Sequence, residues 1–360
     1  MHADRSEAAT PRSATALAGR HVKRGSATIA LVGCGAIAQT FHLPALLAEP
    51  GVRERLILVD RDLARAQALG EGHGLSAYAS DLDDVLGRID AAVLAVPHHL
   101  HFVLAMRCLS SGVHVLCEKP LAENPDEVRK LVAASEQKGV VAAVNNTRRL
   151  FPSNRRIASM LAEGAIGRVR RIDFSHGEAF GWPVVSGANF GAQGGGKGVL
   201  LDVGAHILDL VCWWLGGKPD LVSYHDDSFG GSEAVCRLRA RLHDCDVNIH
   251  LSWLSKLANV LRIQGESGQI EAGVFDYEGF ILTDRSGTRR PVRTPGGPKT
   301  YSGFARHLIA AFMAAIQGDV APLVSARDVL PSIALIAECY ARRQRLDLPW
   351  FSTFGESICG

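Results

Sequence analysis

The chain has 360 residues, a formal net charge of +2 and a hydrophobic content of 47%. Such a length supports two sizeable cores, and the near-neutral balance gives no argument for a nucleic-acid partner or an anionic membrane surface. No apolar run reaches the roughly 18–20 residues that a transmembrane helix needs.

Residues 1–26 are rich in Ala, Ser and Arg and show no sustained period, so they read as a disordered extension. No apolar segment follows the basic residues, which argues against a secretory signal, and Asp4 and Glu7 argue against an organellar leader. The eight cysteines form no C-x-x-C pair and mostly sit inside apolar segments. They read as reduced, buried thiols of a cytoplasmic protein, not as a disulfide framework or zinc site.

Thr28–Val32 is a short apolar strand. Gly33-Cys34-Gly35-Ala36-Ile37-Ala38 then forms a G-x-G-x-x-A turn opening a helix that runs to about Ala48. The first glycine permits the tight turn, and the second lets the backbone approach a pyrophosphate at the helix N-terminus. Gly33, Gly35, Ala36 and Ile37 are therefore candidate dinucleotide contacts. Leu56–Val59 is a second strand, ending in Asp60. A carboxylate there accepts from the adenosine ribose and repels a 2′-phosphate, which favours NAD. Arg61 and the alanine at position 38 keep NADP open. Asp60 is also placed to cap the next helix, a role that Asp62 fills equally well.

Asp81–Leu86 reads as a short helix, Ala91–Val96 as a buried strand ending at Pro97, and Val113–Leu116 as another strand. Strand–helix alternation of this kind predicts a doubly wound parallel sheet with ligands at the strand C-termini. Two of those edges carry unusual residues. His98, His99 and His101 follow one; no nearby Cys, Asp or Glu completes a ligand set, so cofactor or substrate contact is expected and no metal. Cys117-Glu118-Lys119-Pro120 follows the other. A lysine in a cleft would stabilise a developing alkoxide; a surface ion pair explains the same residues equally well.

Val140–Val144 closes this first domain, expected over residues 27–148. Residues 149–327 are expected to form a second domain, and 328–348 a helix packing back towards the first. Asn154–Ala162 reads as a helix. Period-two stretches follow at Arg168–Glu178, Glu233–Leu242, Asp246–Trp253, Asn259–Gln264, Gln269–Ala272 and Phe280–Thr283. They predict an open, mainly antiparallel sheet covered by helices on one face. In the second stretch Cys236, Leu238 and Ala240 alternate with Arg237, Arg239 and Arg241, so the arginine face meets solvent or a partner subunit. Aromatic residues on the glycine-rich loop from Phe180 to Gln193 suit stacking on a sugar ring, with Trp182 foremost.

The glycine run Gly194–Gly198 feeds a helical segment. From Val203 to Leu215 the apolar residues make one stripe, while Asp202, His206, Asp209 and Trp213 make another. A carboxylate and an imidazole thus stand side by side near a helix N-terminus, a plausible proton-transfer pair; a helix cap and a buried structural histidine is the alternative. Pro291–Pro298 reads as a connection, Tyr301–Ile316 as an amphipathic helix and Val329–Leu346 as a final helix. Tyr301 is a further pocket candidate.

The motifs Gly33-x-Gly35-x-x-Ala38, Pro97-x-x-x-His101, Cys117-Glu118-Lys119-Pro120 and Asp202-x-x-x-His206 occur together and in this order. From about Ala27 to Leu348 the chain resembles the glucose–fructose oxidoreductase / inositol dehydrogenase / MocA family. The resemblance implies a Rossmann domain followed by an open-sheet domain, with Lys119, Asp202 and His206 as the catalytic trio and a cis Lys119–Pro120 peptide. It implies cofactor contacts from Pro97, His98, His101, Glu118 and Lys119, although relatives usually carry asparagine at the position of His98. It makes Arg149 a candidate for the substrate cleft, with Arg148 an equal contender on sequence alone. The activity implied is hydride transfer between NAD or NADP and a carbinol carbon of a sugar, sugar nucleotide or cyclic polyol, in a homodimer or homotetramer. Two rival expectations are a retained-cofactor enzyme using transient oxidation, such as a glycosidase or sugar–sugar oxidoreductase, and a non-catalytic dinucleotide- and sugar-binding regulator.

Overall fold

The computed structural model describes residues 21–181, 197–228 and 231–347. The expectations for residues 1–20, for Trp182 and for the rest of its loop to residue 196 lie outside the described residues.

The first half alternates β1 (Ile29–Val32), α1 (Leu43–Leu47), β2 (Leu56–Val59), α2 (Leu63–Glu71), β3 (Tyr78–Ala79), β4 (Ala91–Leu94), α3 (His98–Ser110), β5 (His114–Glu118), α4 (Pro125–Lys138) and β6 (Ala142–Asn145). The six strands form one parallel sheet in the order β3-β2-β1-β4-β5-β6. Its strands are short and apolar because both faces are covered. Ile29 and Leu31 pack into one core and Ala30 and Val32 into another, as the period of two demands. The order in which strands are added reverses between β1 and β4, which opens a crevice at their C-terminal ends.

The second half contains α5 (Pro152–Ala162), β7 (Val169–Gly177), α6 (Ala205–Leu215), β8 (Asp220–Asp226), β9 (Val235–Leu242), β10 (Cys245–Ser252), β11 (Val260–Gly265), β12 (Gly268–Gly273), β13 (Gly279–Asp284), β14 (Arg289–Arg293), α7 (Tyr301–Ile316), α8 (Leu330–Ala341) and β15 (Gln344–Arg345). Its nine strands run in the order β14-β13-β12-β11-β7-β10-β9-β8-β15. All pairs are antiparallel except β7–β10 and β8–β15. The register sets Arg241 opposite Asp246 and Arg239 opposite Asn248 on the outer face, while Leu238, Ala240, Val247 and Ile249 are buried on the other.

Several boundaries differ from the sequence expectation, each for a physical reason. Order begins before residue 27: Val22 is buried and its N–H bonds the Ile316 carbonyl. Residues 81–85 form a turn, and only Leu86–Arg88 is helical, as a single 3-10 turn. The helix after the glycine turn is interrupted by a π-turn at Ala38–His42. Pro291 lies inside β14, which is tolerable because β14 is an edge strand and a missing N–H can face outward. The final helix stops at Ala341, and Gln344–Arg345 then join β8 as an added strand.

α7 does not cover its own sheet. Phe304, Leu308 and Phe312 pack with Phe41, Leu43 and Leu46 over one face of the parallel sheet. α8 lies between α6 and α4, so both C-terminal helices tie the two halves together.

Candidate active site

The glycine turn is fixed by contact with its neighbouring strand. Gly33 has φ +92°, and a Cβ built there would fall 2.4 Å from the Ala95 carbonyl oxygen. Only glycine satisfies both limits. Beside it, Asp60 accepts from Cys34 N–H at 2.9 Å and from Asp62 N–H at 2.9 Å, and Arg65 lies 3.6 Å from it. The helix cap is Asp62, which accepts from Arg65 N–H, so Asp60 is left at the mouth of the turn. Arg61 is exposed. A close backbone approach, a helix start at Ala36–Ile37 and a carboxylate at the end of β2 fit a dinucleotide.

At the end of β5, Glu118 and Lys119 face opposite tasks. Glu118 is buried and accepts from His42 Nε2 and Asn145 Nδ2, each at 2.6 Å. Burial opposes its charge, but the His42 and Asn145 bonds and the Lys119 ammonium hold the carboxyl below its usual range. Lys119 crosses to the other half of the chain. Its ammonium donates to Asp202 Oδ1 at 2.5 Å and to the Asp202 carbonyl at 3.0 Å. The Lys119–Pro120 peptide is cis.

Asp202 sits in a π-turn, Leu200–Gly204, that runs directly into α6. Its side chain caps nothing; it is committed to Lys119. Burial opposes its ionisation, and the Lys119 charge overrides that to keep the carboxyl acidic. The turn is pinned by Glu233, whose Oε1 accepts from Leu200 N–H at 2.9 Å and from the Tyr340 hydroxyl at 2.8 Å. One turn further on, His206 Nδ1 is buried with no hydrogen-bond partner among the described residues. Burial, then Lys119, Arg148 and His176, push its pKa well below the ordinary histidine value. The shift favours the neutral imidazole, whose Nδ1 is held by no described group.

The histidines after β4 also line this region. His101 is fully buried, with Nδ1 2.6 Å from the Pro120 carbonyl and Nε2 2.8 Å from the Val96 carbonyl, so it ties the β4 and β5 ends together. His98 stacks edge-on at 5.7 Å from it, and burial, His101 and Lys119 pull its pKa down to about 3. Pro97 stands at the N-terminal boundary of α3 and His99 is exposed.

Arg149 does not reach the cleft. It forms a buried two-pronged pair with Asp209, Nε to Oδ2 at 2.6 Å and Nη2 to Oδ1 at 2.7 Å, and lies over the Trp213 ring. The polar stripe thus serves two ends: Asp202 bonds Lys119 and His206 feels its charge, while Asp209 and Trp213 clamp Arg149. Arg148, its neighbour, turns towards His176 Nδ1 at 3.2 Å and lies 5.4 Å from the Phe275 ring. Adjacent residues in one tight turn point to opposite sides, so this is the correction to expect where sequence left two arginines open. Tyr301 is half-exposed and packs against Phe41 at 4.7 Å, on the flank of the glycine-turn helix.

Sequence reasoning passed over His42, Asn145, His176, Phe275 and Glu233. His176 had a signal, being an inward polar residue in the alternation of β7. The others acquire meaning only from partners far away in the chain.

Two family models match the chain. An oxidoreductase family with an NAD-binding Rossmann fold covers residues 27–146, and a GFO/IDH/MocA C-terminal domain covers residues 154–271. The chain belongs to the Gfo/Idh/MocA oxidoreductase family. It is an NAD(P)-dependent oxidoreductase of two sheets, the first parallel and the second mainly antiparallel. Among curated relatives, it is 29% identical over 246 residues to a trans-1,2-dihydrobenzene-1,2-diol dehydrogenase of Oryctolagus cuniculus, covering 66% of this chain and 73% of that protein. It is 25% identical over 327 residues to a 1,5-anhydro-D-fructose reductase of Ensifer adhaerens, covering 84% and 92%. The WlbA dehydrogenase of Bordetella pertussis, solved with NADH and UDP-GlcNAcA, has the same fold, with a TM-score of 0.73 at 22% identity over 87% of this chain and 94% of that one. No helix among the described residues of this family member is long and apolar enough to cross a membrane.

Proposed function

We propose that this protein oxidises a secondary alcohol of a sugar, sugar nucleotide or cyclic polyol, or reduces the matching ketone. The observation that carries this reading is the Lys119–Asp202 contact at 2.5 Å, made across the two halves of the chain one helical turn before the half-buried His206, whose pKa is held low. Gly33, Gly35, Ala36, Ile37 and Asp60 would hold the dinucleotide, with Pro97, His98, His101, Glu118 and Lys119 at its nicotinamide end. When bound, the nicotinamide supplies the hydride acceptor or donor. The Lys119 ammonium binds the reacting oxygen and stabilises its developing negative charge. His206 takes the hydroxyl proton, and Asp202 holds the Lys119 ammonium in place. The dehydrogenases and reductase to which the chain is similar support this substrate class. A cytoplasmic homo-oligomer, joined through the polar outer face of the nine-stranded sheet, completes the proposal; the buried, free state of the seven described cysteines supports the compartment.

The test is a screen of sugars, polyols and dihydrodiols with NAD and with NADP, followed by reduced-nicotinamide absorbance. Lys119→Met and His206→Asn are expected to lower kcat at least about 100-fold, with NADH affinity retained in His206→Asn by fluorescence titration. Equal turnover in wild type and both variants would refute the assignment.

A further inference from the structure

The Lys119–Asp202 contact has a counterpart of reversed polarity. Glu123, on the same segment as Lys119, bonds Lys197, on the same segment as Asp202. The two segments are therefore bridged twice. They run past each other in opposite directions, with a cation facing an anion at each end.

The outer pair is not a solvated surface contact. The side chains of Glu123 and Lys197 are 21% and 23% exposed, against 61% and 66% for Asp244 and Arg168 on the outer sheet face. The Lys197 ammonium also lies 5.7 Å from the centre of the Tyr340 ring. Each segment is fastened to its own half. Leu121 and Ala122 are buried, and the Pro120 carbonyl is bonded to His101. Gly198 is pressed against Glu233: a Cβ built there would fall 1.9 Å from the Glu233 carbonyl oxygen, which accepts from Val199 N–H at 2.9 Å. Fixed ends leave little slack, so the links that cross between the segments set their separation. A single ionic link resists only parting, whereas two links some way apart also resist a twist.

We propose that Glu123 and Lys197 are positioning residues, which act through Lys119 and Asp202 by holding that ammonium against that carboxylate. An ion pair near the surface adds little to global stability, yet a displacement of about 1 Å at a reacting group can cost about 100-fold in rate. The proposal rests on the dehydrogenase reading for its effect on rate, but lysine chemistry tests the geometry without any substrate. The experiment acetylates the full-length protein with acetic anhydride and reads each lysine by mass spectrometry. Wild type, Glu123→Gln, Lys197→Met, Lys197→Arg and the exchanged variant, Glu123→Lys with Lys197→Glu, are compared. Melting curves establish that each is folded.

Lys119 should be acetylated about five-fold faster in Glu123→Gln and in Lys197→Met, the size of one well-held ion pair. The shared direction is the signature. Acting only through space, loss of an anion and loss of a cation would shift the reactivity of Lys119 in opposite ways. Lys197→Arg and the exchanged variant keep a cation facing an anion, and should stay within about two-fold of wild type. Lys218, bonded to Glu338 beyond the C-terminal end of α6, should label at one rate throughout. Equal Lys119 rates in wild type and both neutralised variants, opposite changes in the two, or faster labelling of Lys218 as well, overturn the proposal. Turnover on the compounds of the screen runs in parallel. Both neutralised variants should lose about ten-fold in kcat with KM changed less than about two-fold. The labelling pattern without turnover by any protein keeps the positioning pair and sinks the dehydrogenase assignment; turnover with unchanged Lys119 rates does the reverse.

Discussion

Replacing Arg149 by methionine strands the Asp209 carboxylate, which is 1% exposed, without either of its bonds at 2.6 and 2.7 Å. Removing one partner of a buried ion pair costs about 3–5 kcal/mol. The guanidinium also donates to the Asp328 carbonyl at 3.3 Å and lies 5.2 Å from the Trp213 ring, so the loss belongs in the upper part of that range. Adding Asp209→Leu removes the orphaned charge and recovers most of the loss, because an apolar pair of similar size fills the site. The defect also depends on pH. Burial already raises the Asp209 carboxyl above its ordinary range even with Arg149 in place. Without Arg149 it rises further. A carboxyl with a raised folded pKa favours the folded state below its unfolded pKa and loses that advantage as pH climbs through the folded value. The Arg149→Met deficit is therefore full at alkaline pH and shrinks on acidification. Urea unfolding of wild type, single and double variants across pH measures all of this. A deficit under about 1 kcal/mol, the level of an exposed pair, or a double variant no better than the single, would refute the structural role and return Arg149 to the substrate cleft.

Gly33→Ala should weaken NADH binding at least ten-fold, as a fluorescence titration would read it, because the added carbon must displace the Ala95 carbonyl at 2.4 Å; the strained backbone should cost about 1–3 kcal/mol as well. Unchanged affinity would mean that the turn is not the cofactor cradle. The depressed pKa of His206 predicts a displaced acid limb in the pH profile of kcat/KM for alcohol oxidation. A base must be neutral to accept a proton, so its low pKa carries activity to pH values below the ordinary histidine range. Arg148→Gln removes one of the positive neighbours and should move that limb upward. A limb at the ordinary histidine value in both proteins would contradict the burial argument.

The parallel sheet was legible because β1, β2, β4 and β5 are short apolar runs ended by a glycine, an acid or a proline, and because the Gly33 turn has chemistry that few other residues permit. Lys119, Asp202 and His206 were legible as an ordered set of motifs, and their convergence is a tertiary fact that spacing alone does not contain. The choice between Arg148 and Arg149 was not legible. Both are arginine, both are buried, and only the partner on α6 distinguishes them. β3, β8 and β15 escaped notice because β8 has weak alternation and the other two are two residues long, strands only by virtue of their neighbours. α7 was recognisable as amphipathic, yet nothing in its periodicity says that its apolar side belongs to the other half of the molecule.

That misplaced helix has a bearing on how the polypeptide can be divided. Phe41, Leu43 and Leu46 are sheltered by a segment encoded some 260 positions later, Phe304 to Phe312. A gene fragment stopping at Asn146 would translate every strand of the nucleotide sheet and still leave one side of it greasy and bare. Such a piece should clump unless residues 301–316 are supplied in trans, so the region matched by the first family model depends on a helix that lies beyond the region matched by the second.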